Sequence, residues 1–222
     1  MKTQMGFFKP NSAVPVDLSY NTQVTSTADL TSYTFNNVNI GTASADRIVV
    51  VGITINGSSN GFPCTINSVT IGGNAATQIA QVVGASWATA AIFALAVPSG
   101  TTANIVVALN RTAGRCAVAS WAMTGASITP ADTLTDTNAS ADPTGTIDIP
   151  ANGAACAAAI SATSTTTTWT GLTEKVDTAL EGFSTHTAAN DNFASAQTGR
   201  TITANFVGAA DNAMAVASFG PA

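Results

Sequence analysis

From Leu30 onward the chain is a succession of short β-branched or apolar runs, each closed by glycine, proline or asparagine, and none carries apolar residues at helical spacing. That pattern predicts an all-β fold of many short antiparallel strands. The run Arg47 to Asn56 is β-branched almost throughout, as expected of a strand covered on both faces. Ser68 to Ile71 leads into Gly72-Gly73, which predicts a tight hairpin turn, because glycine accepts the positive φ such turns require. Ala91 to Val97 runs into the turn Pro98-Ser99-Gly100. Residues 102–109 place Ile105, Val107 and Leu109 on one face, and Cys116 to Met123 predicts a further strand. A polar connector follows at 128–142. Strands are then predicted at 146–149, 154–163, 168–176, 184–189, 201–207 and 213–219. Ala154 to Ile160 has helical propensity, but Asn152-Gly153 and a threonine-rich run flank it, so it is read as a strand.

The 222 residues suffice for one large all-β domain or two small ones. Charged residues make up 9% of the chain, against about 25% in ordinary soluble domains. Alanine (42) and threonine (35) together exceed a third of it. Low charge with abundant apolar residues is the reverse of a disordered composition. The net charge of −5 and the lack of any Lys/Arg cluster exclude a nucleic-acid binder and attraction to an anionic membrane. Cys64, Cys116 and Cys156 are widely spaced and odd in number, which reads as buried thiols rather than a zinc site or disulfide framework. After Lys2 the only apolar run is Met5 to Phe8, shorter than the core of about seven residues or more that a signal peptide needs. No run approaches the roughly 18 apolar residues of a membrane span.

Residues 1–29 are expected to form an extended N-terminal arm, because Pro10 and Pro15 block helix and central strand and the rest is mostly polar. Phe7 and Phe8 in that arm are candidate interaction residues, packing either on the chain's own domain or on a neighbouring subunit. The chain also matches itself in order. Thr102-Ala-Asn-Ile-Val106 resembles Thr203-Ala-Asn-Phe-Val207, and Ala117-Val-Ala-Ser-Trp121 resembles Ala215-Val-Ala-Ser-Phe219. Both lie at offsets of about 100 residues, which suggests pseudo-repeats at 30–127 and 143–222. Because the second half is short of large aliphatics, one shared sandwich is expected rather than two cores.

Few residues carry chemistry. The single histidine, His186, has no G-x-S-x-G elbow to serve and reads as a surface or hairpin residue. Glu174 and Glu181, the only glutamates, read as a solvated strand edge, and Asp132, Asp136 and Asp142 as solvating groups of the connector. A cation at Asp191 would lack the several carboxylates calcium prefers. Trp121 and Trp169 lie in strand patterns and read as core, whereas Trp87 follows a loop-like Gly84-Ala-Ser and is the candidate contact surface.

The elements Ile48 to Ile55, Asn67-Ser-Val-Thr-Ile-Gly-Gly73, Ala91 to Pro98 with Ser99-Gly100, Ala117 to Gly125 and Ala215-Val-Ala-Ser-Phe-Gly-Pro221 resemble a family of β-sandwich domains. These domains occur in phage virion proteins and in bacterial surface or secreted proteins. The resemblance spans most of 30–222, its motifs are turn and core signals, and it implies no catalytic residues. The expectation is therefore a single antiparallel β-sandwich, jelly-roll-like and internally duplicated, behind the arm. In function it would be a non-enzymatic structural virion protein of a phage, such as a head decoration, fibre or tail-associated protein. It would be made in the host cytoplasm without an export signal and displayed on the particle. Its expected partners are capsid or tail subunits, further copies of itself and a host-surface glycan, with no cofactor or metal. The alternative is a carbohydrate-binding or adhesin module of a bacterial surface protein.

Overall fold

The computed structural model of the chain describes residues 13–57, 62, 64–208 and 210–222. Among them are sixteen strands and no helix. The first eight are β1 (Asp17–Ser26), β2 (Leu30–Asn39), β3 (Ile48–Gly57), β4 (Ile66–Ile71), β5 (Asn74–Ala75), β6 (Thr77–Val83), β7 (Ala88–Ala96) and β8 (Thr102–Thr124). The others are β9 (Asp132–Asn138), β10 (Thr144–Ile149), β11 (Gly153–Ser161), β12 (Thr167–Thr170), β13 (Glu174–Leu180), β14 (Ser184–Phe193), β15 (Gln197–Phe206) and β16 (Asn212–Phe219).

The long strand β8 organises the first half. Up to Leu109 it lies between β2 and β4; from Cys116 it lies between β1 and β3, and β7 and β6 continue the sheet beyond β3. Residues 110–115, which the sequence reads as a break between two strands, stay extended and carry the chain from one layer to the other. Both pairings that meet at Ala113 shift register there. In the second half the sheets run β9-β16-β11-β14-β13 and β10-β15-β12. Apart from the two-residue β5 beside β4, this is the order of the first half, with β16 and β15 taking the places of the two parts of β8. Gly72 and Gly73, at φ 60° and 82°, make the expected turn between β4 and β5.

In place of one shared core there are three among the described residues. Alternation along β3 explains why. Val49, Val51, Ile53 and Ile55 face Tyr33, Ile66, Phe93 and Ile105 inside the first half. Ile48 and Val50, from the opposite face, meet β11 and β16 of the second half through Ala154, Cys156, Ala158, Ala215 and Phe219. The second half, expected to be too poor in large aliphatics, closes its own core. Ile147, Ile149, Ile202 and Phe206 of the smaller sheet cover Ala155, Ala157, Ala159 and Val216 of the larger. Small residues on one face leave room for large ones on the other, so the shortage of aliphatics is made up by shape. The alanine run of β11 is a strand because it sits between two sheets, where packing overrides alanine's helical preference.

Two further expectations are corrected. Residues 17–26, placed in the arm, form β1 and pair with β8 from Asp17↔Thr124 to Ser26↔Cys116. Residues 132–138, placed in the connector, form β9 on the edge beside β16. Each is an edge strand, paired along one side only, so a polar composition is compatible with it. Phe7 and Phe8 lie outside the described residues.

At the centre of the interface between the halves, a Cβ added to Gly52 would stand 2.9 Å from the Ala158 Cβ and 2.9 Å from the Trp121 ring. Gly52→Val should therefore destabilise the protein by about 1–3 kcal/mol through overpacking. The expected reading is a lower urea midpoint with an unchanged β-type circular dichroism spectrum; an unshifted midpoint would mean the two sheets part easily.

Candidate functional site

The ends of several strands converge where β8 bends between layers. Asp29 in the β1–β2 turn, Asn56 and Gly57 at the end of β3, Trp87 before β7, Gly114 and Arg115 of β8, Ala162 after β11 and Phe183 in the β13–β14 turn line a cleft of about 540 Å³. Both halves contribute to it. The second half also holds the first half's tryptophan in place. The Asp211 carboxylate, on the turn before β16, accepts the backbone N–H of Trp87 and that of Ala88, the latter at 3.1 Å. The Trp87 carbonyl accepts the Gly57 N–H at 2.7 Å.

The polar groups of the cleft are unevenly satisfied. Arg115 donates to Glu181 at 2.9 Å, and its guanidinium lies 4.6 Å from the centre of the Phe183 ring. Its Nε is buried without a hydrogen-bond partner among the described residues. Asn56 is only 5% exposed, yet no hydrogen bond to its side-chain amide occurs among the described residues. Phe183 is 62% exposed. Buried polar groups are ordinarily paired, so the unpartnered Asn56 amide at an open cleft marks a place for water or a ligand.

Behind this cleft lies His186, which is not on the surface but fully buried. Its Nδ1 is 2.7 Å from the Thr54 Oγ1 of the other half, and its Nε2 is 2.9 Å from the Ser184 Oγ. Burial, reinforced by the charge of Arg115, pushes the imidazole down to about 3. It is therefore neutral at physiological pH, with one nitrogen donating and the other accepting, and the two hydroxyls satisfy both. A serine beside a histidine is the beginning of a nucleophilic site, but here Ser184 is also fully buried and a threonine stands where an orienting carboxylate would be. The sequence missed this because the polar string Ser184-Thr-His-Thr187 looks like a surface strand.

The other singled-out residues fall as follows. Trp87 sits at the cleft, partly buried. Trp121 is fully buried and donates to the Asn190 Oδ1 at 2.9 Å, and Trp169 donates to the Thr187 Oγ1 at 2.8 Å. Glu181 belongs to the cleft through Arg115. Asp132, Asp136 and Asp142 accept the backbone N–H groups of Asp148, Thr144 and Phe206 at 2.8–2.9 Å, so they tie chain segments together rather than merely solvate them. Cys116 and Cys156 are unbridged buried thiols, and burial raises both. Cys64 is buried and donates to the Thr112 carbonyl. Among the described residues no three His, Cys, Asp or Glu side chains gather as a metal-binding set. Asn56, Arg115 and Phe183 were not singled out in sequence; the one available signal was an aromatic in the turn Glu181-Gly182-Phe183. Comparison with protein-family models, with curated proteins and with solved structures finds no match.

Proposed function

We propose that this chain is a structural virion protein of a bacteriophage, exposed on the particle, which acts by recognition and assembly rather than catalysis. The observation that carries this reading is the strand order. If β8 is counted as two strands and the two-residue β5 is left out of the count, the first, eighth, third and sixth strands of each half are neighbours in one sheet, and the second, seventh and fourth in the other. We read this order as jelly-roll-like, and jelly rolls are an architecture of viral capsid and lectin domains. In each half the fifth strand joins the sixth; in the first half it is preceded by β5, which pairs with the fourth. The same order twice, with local sequence matches about 100 residues apart, supports an internal duplication. The step from fold to function is one of analogy. It is joined by the charge-poor, threonine-rich composition and by the resemblance of the turn motifs to virion β-sandwiches.

Mass spectrometry of purified particles of the phage that encodes the chain should find it in fixed ratio to capsid or tail subunits. Antibodies raised against the folded chain should decorate intact particles. Recovery only from the soluble lysate would overturn the reading. Recovery with the bacterial envelope would favour the second reading, an adhesin module, which the mixed aromatic and polar cleft also suits.

A further inference from the structure

We propose that the cleft between the two halves binds a neutral oligosaccharide, with Trp87 as the stacking platform and Asn56 and Arg115 as the hydroxyl-reading groups. The proposal rests on the reading of the chain as a recognition protein and names what it recognises. A sugar ring is apolar on its faces and lined with hydroxyls at its edges, and each hydroxyl both donates and accepts. The cleft offers the complement. Trp87 and the exposed Phe183 supply apolar area. The Asn56 amide supplies a donor and an acceptor, with no hydrogen bond to it among the described residues, and the part-exposed terminal N–H groups of Arg115 supply further donors. A volume of about 540 Å³ is in the range of ligand sites and leaves room for a short glycan.

The charges argue for a neutral ligand. Arg115 is already paired with Glu181 at 2.9 Å, and Asp29 stands on the same wall. An anionic sugar would have to displace Glu181 and face Asp29. A cationic one would lose to Arg115, whose guanidinium is pinned over Phe183. The Trp87 turn is held through its backbone by Asp211 and Gly57, so the indole is dispensable to that anchoring.

The test is calorimetric titration of the full chain with maltohexaose, cellohexaose, xylohexaose and N-acetylchitohexaose, with hexagalacturonate as the anionic comparator. At least one neutral hexasaccharide should bind with a millimolar or tighter dissociation constant. Trp87→Ala should weaken that binding about tenfold or more while keeping the β spectrum and melting temperature. Asn56→Asp, which replaces a donor by a charge at constant shape, should weaken it independently. Absence of binding by all four neutral sugars, tighter binding of hexagalacturonate, or unchanged affinity in both variants would each overturn the proposal. Particle incorporation is measured separately, so a failure here is distinguishable from failure of the virion reading.

Discussion

A chain that starts at residue 27 should fail to fold cooperatively. β1 looks dispensable in sequence, but Val16 and Leu18 are both buried in the interface between the halves. Burial of two such aliphatic side chains stabilises by roughly 1.5–3 kcal/mol each. The strand also closes the edge of β8 next to Trp121, whose ring meets Tyr20 edge-on at a centroid distance of 6.1 Å. Its backbone satisfies the second half too. The Leu18 carbonyl accepts from the Asn190 Nδ2 at 3.0 Å, and the Leu18 N–H donates to the Asn192 Oδ1 at 2.9 Å. Loss of β1 would leave the buried Asn190 half-paired, at a cost of about 1–3 kcal/mol. Together these effects come to roughly 4–9 kcal/mol, comparable with the whole stability of many domains. The truncated chain should show no cooperative urea transition, and a synthetic peptide of residues 13–28 should restore one by re-adding the strand. Leu18→Asp in the full chain should reproduce much of the loss. A truncated chain that melts like the parent would return these residues to the role of a free arm.

Acidification from pH 7 to pH 5 should destabilise the protein by about 2 kcal/mol through His186 alone. In the unfolded chain the imidazole titrates near 6.5, and in the folded protein burial and Arg115 push it down to about 3. Between these values the unfolded state binds the proton and the folded state does not. The stabilisation from a neutral His186 is therefore complete above about pH 6.5 and is lost progressively as pH falls towards 3. His186→Gln, which retains a donor and an acceptor, should be less stable at pH 7 but nearly flat across the same interval. Asp46 is held below its ordinary carboxylate value by Ser44 and the Gly125 N–H, and loses its contribution only at lower pH. Chemical denaturation of both proteins at pH 7, 6 and 5 measures the difference. Parallel curves would mean that His186 is protonated in the folded state or reaches solvent.

Because Thr54 is on β3 and Ser184 on β14, the same histidine couples the two halves. Its protonation should loosen the junction that also shapes the cleft.

How far the sequence reveals this molecule depends on where each strand sits. β3, β7 and β16 are covered on both faces, and their apolar runs announce them at nearly the right positions. The Gly72-Gly73 turn is equally legible, since few other residues adopt its φ values. The all-β class and the central strands were thus determined by the sequence alone, because a strand with no solvent-facing side has almost no compositional freedom. β1 and β9 were invisible, and they occupy equivalent edge places in the two halves. An edge strand is paired along one side and half exposed, so Asp, Asn and Thr serve it as well as Val. The continuity of β8 through Arg111-Thr-Ala-Gly114 was hidden for a related reason, since only the second layer tells those residues to stay extended. The three cores, the neutral His186 and the cleft uniting Asn56, Trp87, Arg115 and Phe183 were decided by the tertiary structure. Each joins residues far apart in the chain across the junction of two halves, and no local pattern records which face of one sheet will meet which face of the other.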